Sequence, residues 1–289
     1  KMIPDSVKQH IQETIDHSIT SAQRVSGGSI NQAAKVTLDD DTACFLKWNT
    51  TADPDMFIVE ERGLGLLTPA DTTLRIPSVL ATGATDEGTG FLLQEFIFEG
   101  RSKPNSAGDF GRALAQLHNH NNDTFGLDHN NFIGRLPQSN IPHDSWIDFF
   151  IQERMEPQLQ MATDSGKLGA GTVTSFNAMY KELPDIFPDE PPSLLHGDLW
   201  GGNYFFDQDG EATIYDPAVY YGHREIELAF THLFGGFPSN FYSAYEETYP
   251  LSSGFYKRKD IYNLYPLLVH TNLFGGSYAR QVESIVRQF

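Results

Sequence analysis

The hydrophobic pattern of this 289-residue chain changes once, near residues 97 to 102, and that change limits the possible folds more than any other feature. Before it, short apolar runs broken by glycine and aspartate, such as "SINQAAKVTLDDDTACFLKWN", predict antiparallel strands beside two helices. After it, apolar residues recur at helical spacing in one segment after another. We therefore predict an α+β chain with a small β-rich lobe at residues 1–97 and a larger α-helical lobe at residues 98–289.

Charge, hydropathy and cysteine content limit the expected partners and the expected cellular location. The chain has 38 Asp and Glu residues against 20 Lys and Arg, a net charge of −18, which disfavours a nucleic-acid-binding surface. No apolar run approaches the length that spans a bilayer, so we expect no membrane partner. Cys44 is the only cysteine, which favours a reducing compartment, and we predict a cytoplasmic location. In its apolar strand Cys44 is expected to be a buried, inert thiol.

The stretch "SLLHGDLWGGNYFF" (193–206) places polar side chains in a glycine-bent segment between apolar runs. Asp198 and Asn203 stand five apart, and "ATIYD" ends at Asp216 after a polar turn. If residues 204–206 and 212–215 pair as a hairpin, Asn203 and Asp216 lie side by side at its open end. That brings Asp198, Asn203 and Asp216 into one pocket.

These three side chains have the chemistry of a phosphoryl-transfer site. Oxygen ligands such as Asn203 and Asp216 suit Mg²⁺, which binds substrate phosphates. Asp198 is then the base that accepts the proton of an attacking hydroxyl, as in kinase catalytic loops. The alternative is an ordinary turn, since Asp, Asn and Gly favour turns in any case. The apolar flanks, the hairpin and the preceding β-rich lobe favour the kinase-like site.

The amino-terminal lobe supplies candidates for nucleotide binding. A kinase needs a lysine on a strand that binds the phosphates of ATP and a glutamate on a helix that forms an ion pair with that lysine. Lys47, in "ACFLKWN", suits the first role, although an exposed edge lysine is the alternative. Phe45 shares its strand face and is expected to line the adenine pocket. In the helix "PDMFIVEERGLGLL", periodicity leaves Glu60 and Glu61 equally open as the partner.

A glycine pair, Gly27 and Gly28, precedes the lysine strand in "SGGSIN". Its backbone N–H groups are candidates for contact with phosphates. A plain turn is the alternative that a glycine pair alone favours.

"LLHGDLWGGN" together with "YDPAVYYGHREIELAF" resembles the fructosamine-3-kinase (ketosamine-3-kinase) family, which is related to aminoglycoside and choline kinases. The similarity extends over nearly the whole chain, through "MFIVEERGLGLL" and "WIDFFIQERMEPQLQ". Many kinases share the HGD-x-x-x-x-N element. The Leu-Trp-Gly-Gly filler and the Asp-Pro-Ala and Tyr-Gly-His-Arg-Glu residues are much more specific.

The resemblance implies a bilobal protein-kinase-like fold, with a five-stranded antiparallel sheet in the amino-terminal lobe, and an ATP- and Mg²⁺-dependent kinase. Its members phosphorylate O3 of ketosamines, the sugar adducts of amines or protein lysines, and the product decomposes to free the amine. Carried over to this chain, Asp198 is the base, Asn203 and Asp216 are Mg²⁺ ligands, and Lys47 holds phosphates with Glu60 as partner. "QEFI", which comprises Gln94, Glu95, Phe96 and Ile97, is the hinge whose backbone meets adenine. Some members have a cysteine where this chain has Ser29, so we predict no redox switch.

Several assignments stay open at this point. Trp200, beside the base, is a candidate substrate contact and equally a candidate core aromatic. His196 is a further candidate near the substrate, although orientation of the loop through hydrogen bonds is the favoured role. The few residues between Asp216 and the next helix, near Arg224, leave no room for a long activation segment, which favours a small-molecule kinase. Rival functions are an aminoglycoside- or choline-type phosphotransferase and a non-catalytic nucleotide-binding pseudokinase.

Overall fold

The computed structural model describes residues 2–25, 30–68 and 72–289, and the chain divides into two compact units. Unit 1 comprises Lys1–Ser106 and Tyr204–Pro217, and unit 2 comprises Ala107–Asn203 and Ala218–Phe289. The segment Tyr204–Pro217 thus groups with unit 1, although it lies far from the rest of that unit in the sequence. A single division of the chain after residue 97 does not allow for this. The sequence-based limits of the two lobes stay a prediction.

Unit 1 contains the expected antiparallel sheet, with five strands in the order β1-β2-β3-β5-β4. Its strands are β1 (Ile19–Arg24), β2 (Gln32–Leu38), β3 (Ala43–Asn49), β4 (Val79–Ala84) and β5 (Gly90–Glu95). Its helices are α1 (Asp5–Ile15) and α2 (Asp55–Leu67). The helices and the β2–β3 hairpin that the sequence predicts are confirmed.

The two faces of β3 have different environments because successive side chains of a strand point to opposite sides. Cys44, Leu46 and Trp48 are buried in one hydrophobic cluster with Val7 and Ile11 of α1. The remaining side chains of the strand, Phe45 and Lys47 among them, therefore face away from α1. Burial raises the pKa of the Cys44 thiol, as expected for an inert core cysteine.

The hairpin that the sequence predicts after Asn203 is confirmed. β9 (Tyr204–Phe206) pairs antiparallel with β10 (Ala212–Ile214), with Tyr204 opposite Ile214. The Asp207 carboxylate closes the turn by accepting the backbone N–H groups of Asp209 and Glu211, each at 2.9 Å. Asp216 therefore follows the hairpin by two residues.

Unit 2 is mainly helical. Its α-helices are α3 (Ser106–His118), α4 (Trp146–Phe149), α5 (Glu156–Asp164), α6 (Ala170–Ile186), α7 (Arg224–His232), α8 (Ser239–Thr248), α9 (Phe255–Phe274) and α10 (Ser277–Val286). A π-helical turn (Phe150–Met155) joins α4 to α5, and a 3₁₀ turn (Leu233–Gly235) follows α7. Two short antiparallel pairs complete it: β6 (Asn131–Ile133) with β7 (Leu136–Gln138), and β8 (Ser193–Leu195) with β11 (Tyr220–Gly222). Within the described ranges, no helix is both long and apolar enough to cross a bilayer.

The core of unit 2 buries a histidine at the start of α7. His223 stacks on Trp146 with ring centroids 4.7 Å apart, and its Nδ1 lies 3.2 Å from the Tyr262 hydroxyl. Burial, together with the positive charges of Arg258 and Arg224, lowers the pKa of His223 to about 3. The imidazole is therefore neutral in the folded protein at pH 7.

This histidine predicts acid-sensitive stability. Between pH 6.5 and 3 the unfolded state binds a proton at His223 that the folded state does not, so stability is present above pH 6.5 and falls as the pH falls. We expect this group to remove about 1.4 kcal/mol of unfolding free energy per pH unit between about pH 6 and 4. Urea unfolding of the wild type and of His223→Asn across that range measures the difference in slope. Parallel slopes would show that His223 is not the group responsible.

Candidate active site

The segment after β8 holds Asp198 through a set of local hydrogen bonds in unit 2. The backbone N–H of Asp198 donates to Nδ1 of His196 at 3.2 Å. Asn203 donates through Nδ2 to the backbone carbonyl of Asp198 at 2.8 Å and to its carboxylate Oδ2 at 3.0 Å. The five-residue spacing read from the sequence therefore joins these side chains in one loop, with the Asp198 carboxylate half-buried and fixed in direction.

A buried carboxylate on α7 anchors the same loop. Glu227 accepts the backbone N–H groups of His196 at 3.1 Å and Gly197 at 2.8 Å, and it lies 2.8 Å from Nε2 of His118. Although burial opposes ionisation, the hydrogen bond and charge of His118 and the loop amides outweigh it and lower the pKa of Glu227. Glu227 therefore remains a carboxylate, which is the form that can accept these bonds.

Gly197 is required at its position for two reasons. Its φ is +87°, in the left-handed region that favours glycine. A Cβ there would also overlap the backbone carbonyl of Ala218. The backbone of this loop thus passes directly against the segment that leads to β11.

Asp198 lies at an open cleft that is formed within unit 2. The lining is mostly apolar, with few polar side chains, as is usual for small-molecule sites. The lining residues are Ile133, Leu195, Gly197, Asp198, Tyr220, Ile226, Glu227, Phe230, Tyr265, Pro266, Val269 and His270. A small molecule in this cleft would therefore meet the Asp198 carboxylate.

In unit 1, Lys47 contacts two carboxylates. Its Nζ donates to Oε1 of Glu60 and, at 2.6 Å, to Oδ1 of Asp216. Periodicity left Glu60 and Glu61 open, and the ion pair of Lys47 is with Glu60. Lys47 is only 4% exposed, so it is not the solvated edge lysine of the alternative interpretation.

Electrostatics keep this lysine charged. Burial disfavours the ammonium, but the charges of Asp216 and Glu60 and their hydrogen bonds raise the pKa of Lys47 well above its ordinary value. Asp216 is also one of the few described non-glycine residues in the left-handed region, with φ of 52°. Such backbone strain concentrates at functional positions.

The other candidates for nucleotide contact lie at the end of the sheet. Phe45 is half-buried on β3, opposite Gln94 on β5, and Gln94 is buried. Glu95 pairs with Arg75 at 3.2 Å, and Phe96 donates its N–H to the Ala43 carbonyl at 3.3 Å. Among the described residues, none accepts a hydrogen bond from the backbone N–H of Ile97, which leaves that donor for a ligand. Gly27, Gly28 and Ser29 lie outside the described residues.

Two candidates for substrate contact differ in exposure. His196 is fully buried, accepts the backbone N–H of Asp198 at its Nδ1 and donates its own backbone N–H to Glu227 of α7. Trp200 is 36% exposed and packs over Gly202, where an added Cβ would meet the indole ring. The structure therefore gives Trp200 a surface toward solvent, whereas His196 contributes to the position of Asp198.

Sequence reasoning missed Glu227 as part of the site. Its place beside Glu225 in the first turn of α7 is one where carboxylates are common for electrostatic reasons alone. Instead Glu225 forms an ion pair with Arg258 at 2.7 Å, and Glu227 holds the loop of Asp198. The sequence does contain one signal for such a role. Two carboxylates lie in the apolar run "REIELAF", and buried carboxylates need buried partners.

Comparison with known proteins assigns the chain to a family. A family model described as fructosamine kinase matches residues 3–289. The chain belongs to the fructosamine kinase family. It is 36% identical over 277 residues to protein-ribulosamine 3-kinase, chloroplastic, of Arabidopsis thaliana, covering 94% of this chain and 83% of that one. It is 37% identical over 288 residues to a protein of Synechocystis sp. assigned as a ketoamine kinase, and the match covers 98% of this chain and 95% of that one.

Solved structures agree with this assignment. A crystal structure from Thermobifida fusca, assigned as a fructosamine-3-kinase, superposes with a TM-score of 0.87 at 32% identity over 99% of this chain and 98% of that one. A thermostable mutant of aminoglycoside phosphotransferase APH(4)-Ia, in ternary complex with AMP-PNP and hygromycin B, gives a TM-score of 0.63 at 17% identity over 98% of both chains. The kinase-like fold is therefore confirmed, and this fructosamine kinase family member is a phosphotransferase with an alcohol group as acceptor.

Each unit offers an oxygen atom of the kind that suits Mg²⁺, the ion that the fructosamine kinase fold implies: Asn203 in unit 2 and Asp216 in unit 1. The hydrogen bonds of Asn203 to Asp198 use its Nδ2 and not its carbonyl Oδ1. Asp216 gives Oδ1 to Lys47, and within the described ranges no hydrogen bond uses its Oδ2. An amide oxygen and a carboxylate oxygen are ligands that Mg²⁺ prefers.

Proposed function

We propose that this chain is an ATP- and Mg²⁺-dependent ketosamine 3-kinase. The observation that carries the proposal is the Asp198 carboxylate, held in direction by Asn203 at the edge of a small-molecule cleft. Support comes from the fructosamine kinase family model and from the relative named protein-ribulosamine 3-kinase. The acceptor would be the 3-hydroxyl of a ketosamine, formed on a free amine or on a protein lysine.

Each side chain has a defined part in this proposal. Asp198 accepts the proton of the acceptor hydroxyl as the hydroxyl oxygen bonds to the γ-phosphorus of ATP, and the bond from that phosphorus to the β–γ bridging oxygen breaks, so that ADP leaves. Asn203 keeps the Asp198 carboxylate aimed at that proton. Glu227 fixes the loop backbone that carries Asp198. We keep His196 in the same positioning role. Because it is fully buried, we do not assign it to the substrate.

Residues of both units would hold the phosphoryl donor, Asn203 from unit 2 and the others from unit 1. Lys47, kept charged and directed by Glu60, binds the phosphates of ATP, and Asp216 and Asn203 hold Mg²⁺. Bound Mg²⁺ neutralises charge on the phosphates during transfer. Phe45 and the 94–97 segment bind adenine, with the Ile97 N–H as a donor to the ring. We include Gly27 and Gly28 as phosphate contacts on the sequence alone.

The biological consequence would be deglycation. A ketosamine phosphorylated at O3 decomposes and releases its amine, as the resemblance to ketosamine kinases implies. Glycated small amines and glycated lysines share this chemistry, so both are candidate substrates.

An acceptor comparison tests the proposal. Purified protein with Mg²⁺ and ATP is assayed for ADP release with a ribulosamine, a fructosamine, an aminoglycoside and choline. We expect turnover with at least one ketosamine and a higher kcat/KM for it than for either alcohol of the rival classes. Preference for the aminoglycoside or choline would support the rival phosphotransferase. Binding of ATP without transfer to any acceptor would support the pseudokinase.

A further inference from the structure

A group of aromatic side chains forms an exposed patch in unit 2. This aromatic cluster consists of Trp200, Phe234, His270, Phe274 and Tyr278. Trp200 is 36% exposed, Phe234 44% and Phe274 56%. Contiguous exposed apolar surface of this kind marks binding sites more often than an isolated exposed side chain does.

Phe234 lies at the centre of the aromatic cluster. Its ring centroid is 5.0 Å from that of His270, 6.2 Å from that of Trp200 and 6.3 Å from that of Tyr278. The contacts with Trp200 and Tyr278 are edge-to-face, a favourable arrangement for aromatic pairs. One ring thus contacts the loop of Asp198, α9 and α10.

The backbone at Phe234 is strained. Its φ is 60° and its ψ 37°, in the left-handed region, and Gly235 and Gly236 follow with φ of 111° and 75°. This conformation has an energetic cost for a bulky non-glycine residue. Its side chain nevertheless remains 44% exposed, so part of the ring surface is open to a ligand. Strain of this type concentrates at ligand contacts and active sites.

The aromatic cluster is continuous with the cleft at Asp198. His270 belongs to both, and Phe230, another lining residue, is 6.2 Å from Phe234 between ring centroids. His270 Nδ1 lies 2.7 Å from the Pro266 carbonyl oxygen, and burial lowers the pKa of His270. At pH 7 its ring is therefore neutral and presents apolar faces.

The acceptor of the proposed reaction has two ends. Its reacting hydroxyl must meet Asp198, and its nitrogen substituent projects away from the sugar. A molecule that occupies the cleft therefore presents the substituent to the surface that continues from it. Alkyl and aromatic groups pack favourably on exposed aromatic rings.

We propose that Phe234 binds the nitrogen substituent of the acceptor and selects ketosamines whose amine carries an alkyl or aromatic chain. This inference rests on the proposed ketosamine kinase activity. The selected class includes the methylene chain of lysine, and amines with only a methyl group are poorer substrates.

Two ketosamines with the same sugar test this role, one made with phenethylamine and one with methylamine. We expect the wild type to prefer the phenethylamine adduct by about tenfold in kcat/KM, the size of an aromatic contact. Phe234→Asn, which removes the ring but tolerates the left-handed backbone, should bring the ratio of kcat/KM for the two adducts from about ten to about one. Phe234→Tyr retains the ring and should retain the preference.

The outcomes separate this inference from the proposed function. If the wild type phosphorylates neither adduct, both proposals fail. If it phosphorylates both and Phe234→Asn leaves their ratio unchanged, Phe234 does not select the amine, whereas the kinase assignment stands. Sedimentation of the wild type and of Phe234→Asn tests whether a second copy of the chain occupies the aromatic cluster instead. A wild-type dimer that Phe234→Asn dissociates, with the substrate ratio unchanged, would make the aromatic cluster a self-association surface and overturn the selection role.

Discussion

Replacing Asp198 with Asn is expected to lower kcat for ketosamine phosphorylation by about 10²- to 10⁴-fold, the usual contribution of a general base. An amide can still accept the hydrogen bond of Asn203, so the loop should keep its geometry. It cannot take a proton from the acceptor hydroxyl at neutral pH. Because Lys47, Glu60 and Asp216 are unchanged, ATP affinity should stay within about threefold of the wild type. Steady-state kinetics and ATP titration measure the two effects separately.

Asp209→Asn is the matched control for this experiment. Asp209 is exposed in the turn of the β9–β10 hairpin, and its side chain contributes to none of the contacts described for the site. The same change of charge there should leave kcat unchanged. Full activity of Asp198→Asn would exclude Asp198 as the base, and equal losses in the two variants would assign the effect to net charge.

The largest effect on stability is expected at the ion pair between Arg224 and Glu190. Both side chains are buried, with Arg224 Nε 2.7 Å from Oε2 and Nη2 3.0 Å from Oε1 of Glu190. Arg224 also donates to the backbone carbonyls of Tyr249 and Pro250. Glu190→Gln leaves a buried guanidinium without its counter-charge, so we expect the unfolding free energy to fall by about 3–5 kcal/mol.

The pair of Arg287, which is exposed, and Glu283, which is partly exposed, provides the control, with 3.6 Å between Nη2 and Oε2. Glu283→Gln should change the unfolding free energy by less than about 0.5 kcal/mol, since solvent screens surface pairs. Chemical denaturation of both variants gives the comparison. A loss below about 1 kcal/mol in Glu190→Gln, or equal losses in the two variants, would contradict a structural role for the buried pair.

Local sequence patterns predicted much of the fold. The β9–β10 hairpin followed from two short apolar runs around "DQDG", and the β2–β3 hairpin from alternation around the aspartates at 39–41. β1 (Ile19–Arg24) gave no comparable signal because nearly all its side chains are exposed at the edge of the sheet. Backbone pairing with β2, which the sequence does not display, holds that strand.

The sequence likewise predicts only part of the candidate site. Asp198 and Asn203 could be found from their spacing, since the hydrogen bonds between them lie within one loop. The contacts of Glu227 with the amides of His196 and Gly197 join positions about 30 apart in sequence, so no local pattern predicts them. The left-handed backbone of Phe234 is equally hidden, because bulky residues rarely adopt it and only the fold reveals the exception.

Identification of the phosphorylated hydroxyl tests the central claim most directly. The product formed from ATP and a ribulosamine or fructosamine is analysed by ¹H–³¹P correlation NMR. We predict a single phosphomonoester coupled to the proton on C3 of the sugar. A phosphate on another hydroxyl, or the absence of any phosphorylated ketosamine while an unrelated alcohol is turned over, would contradict the assignment.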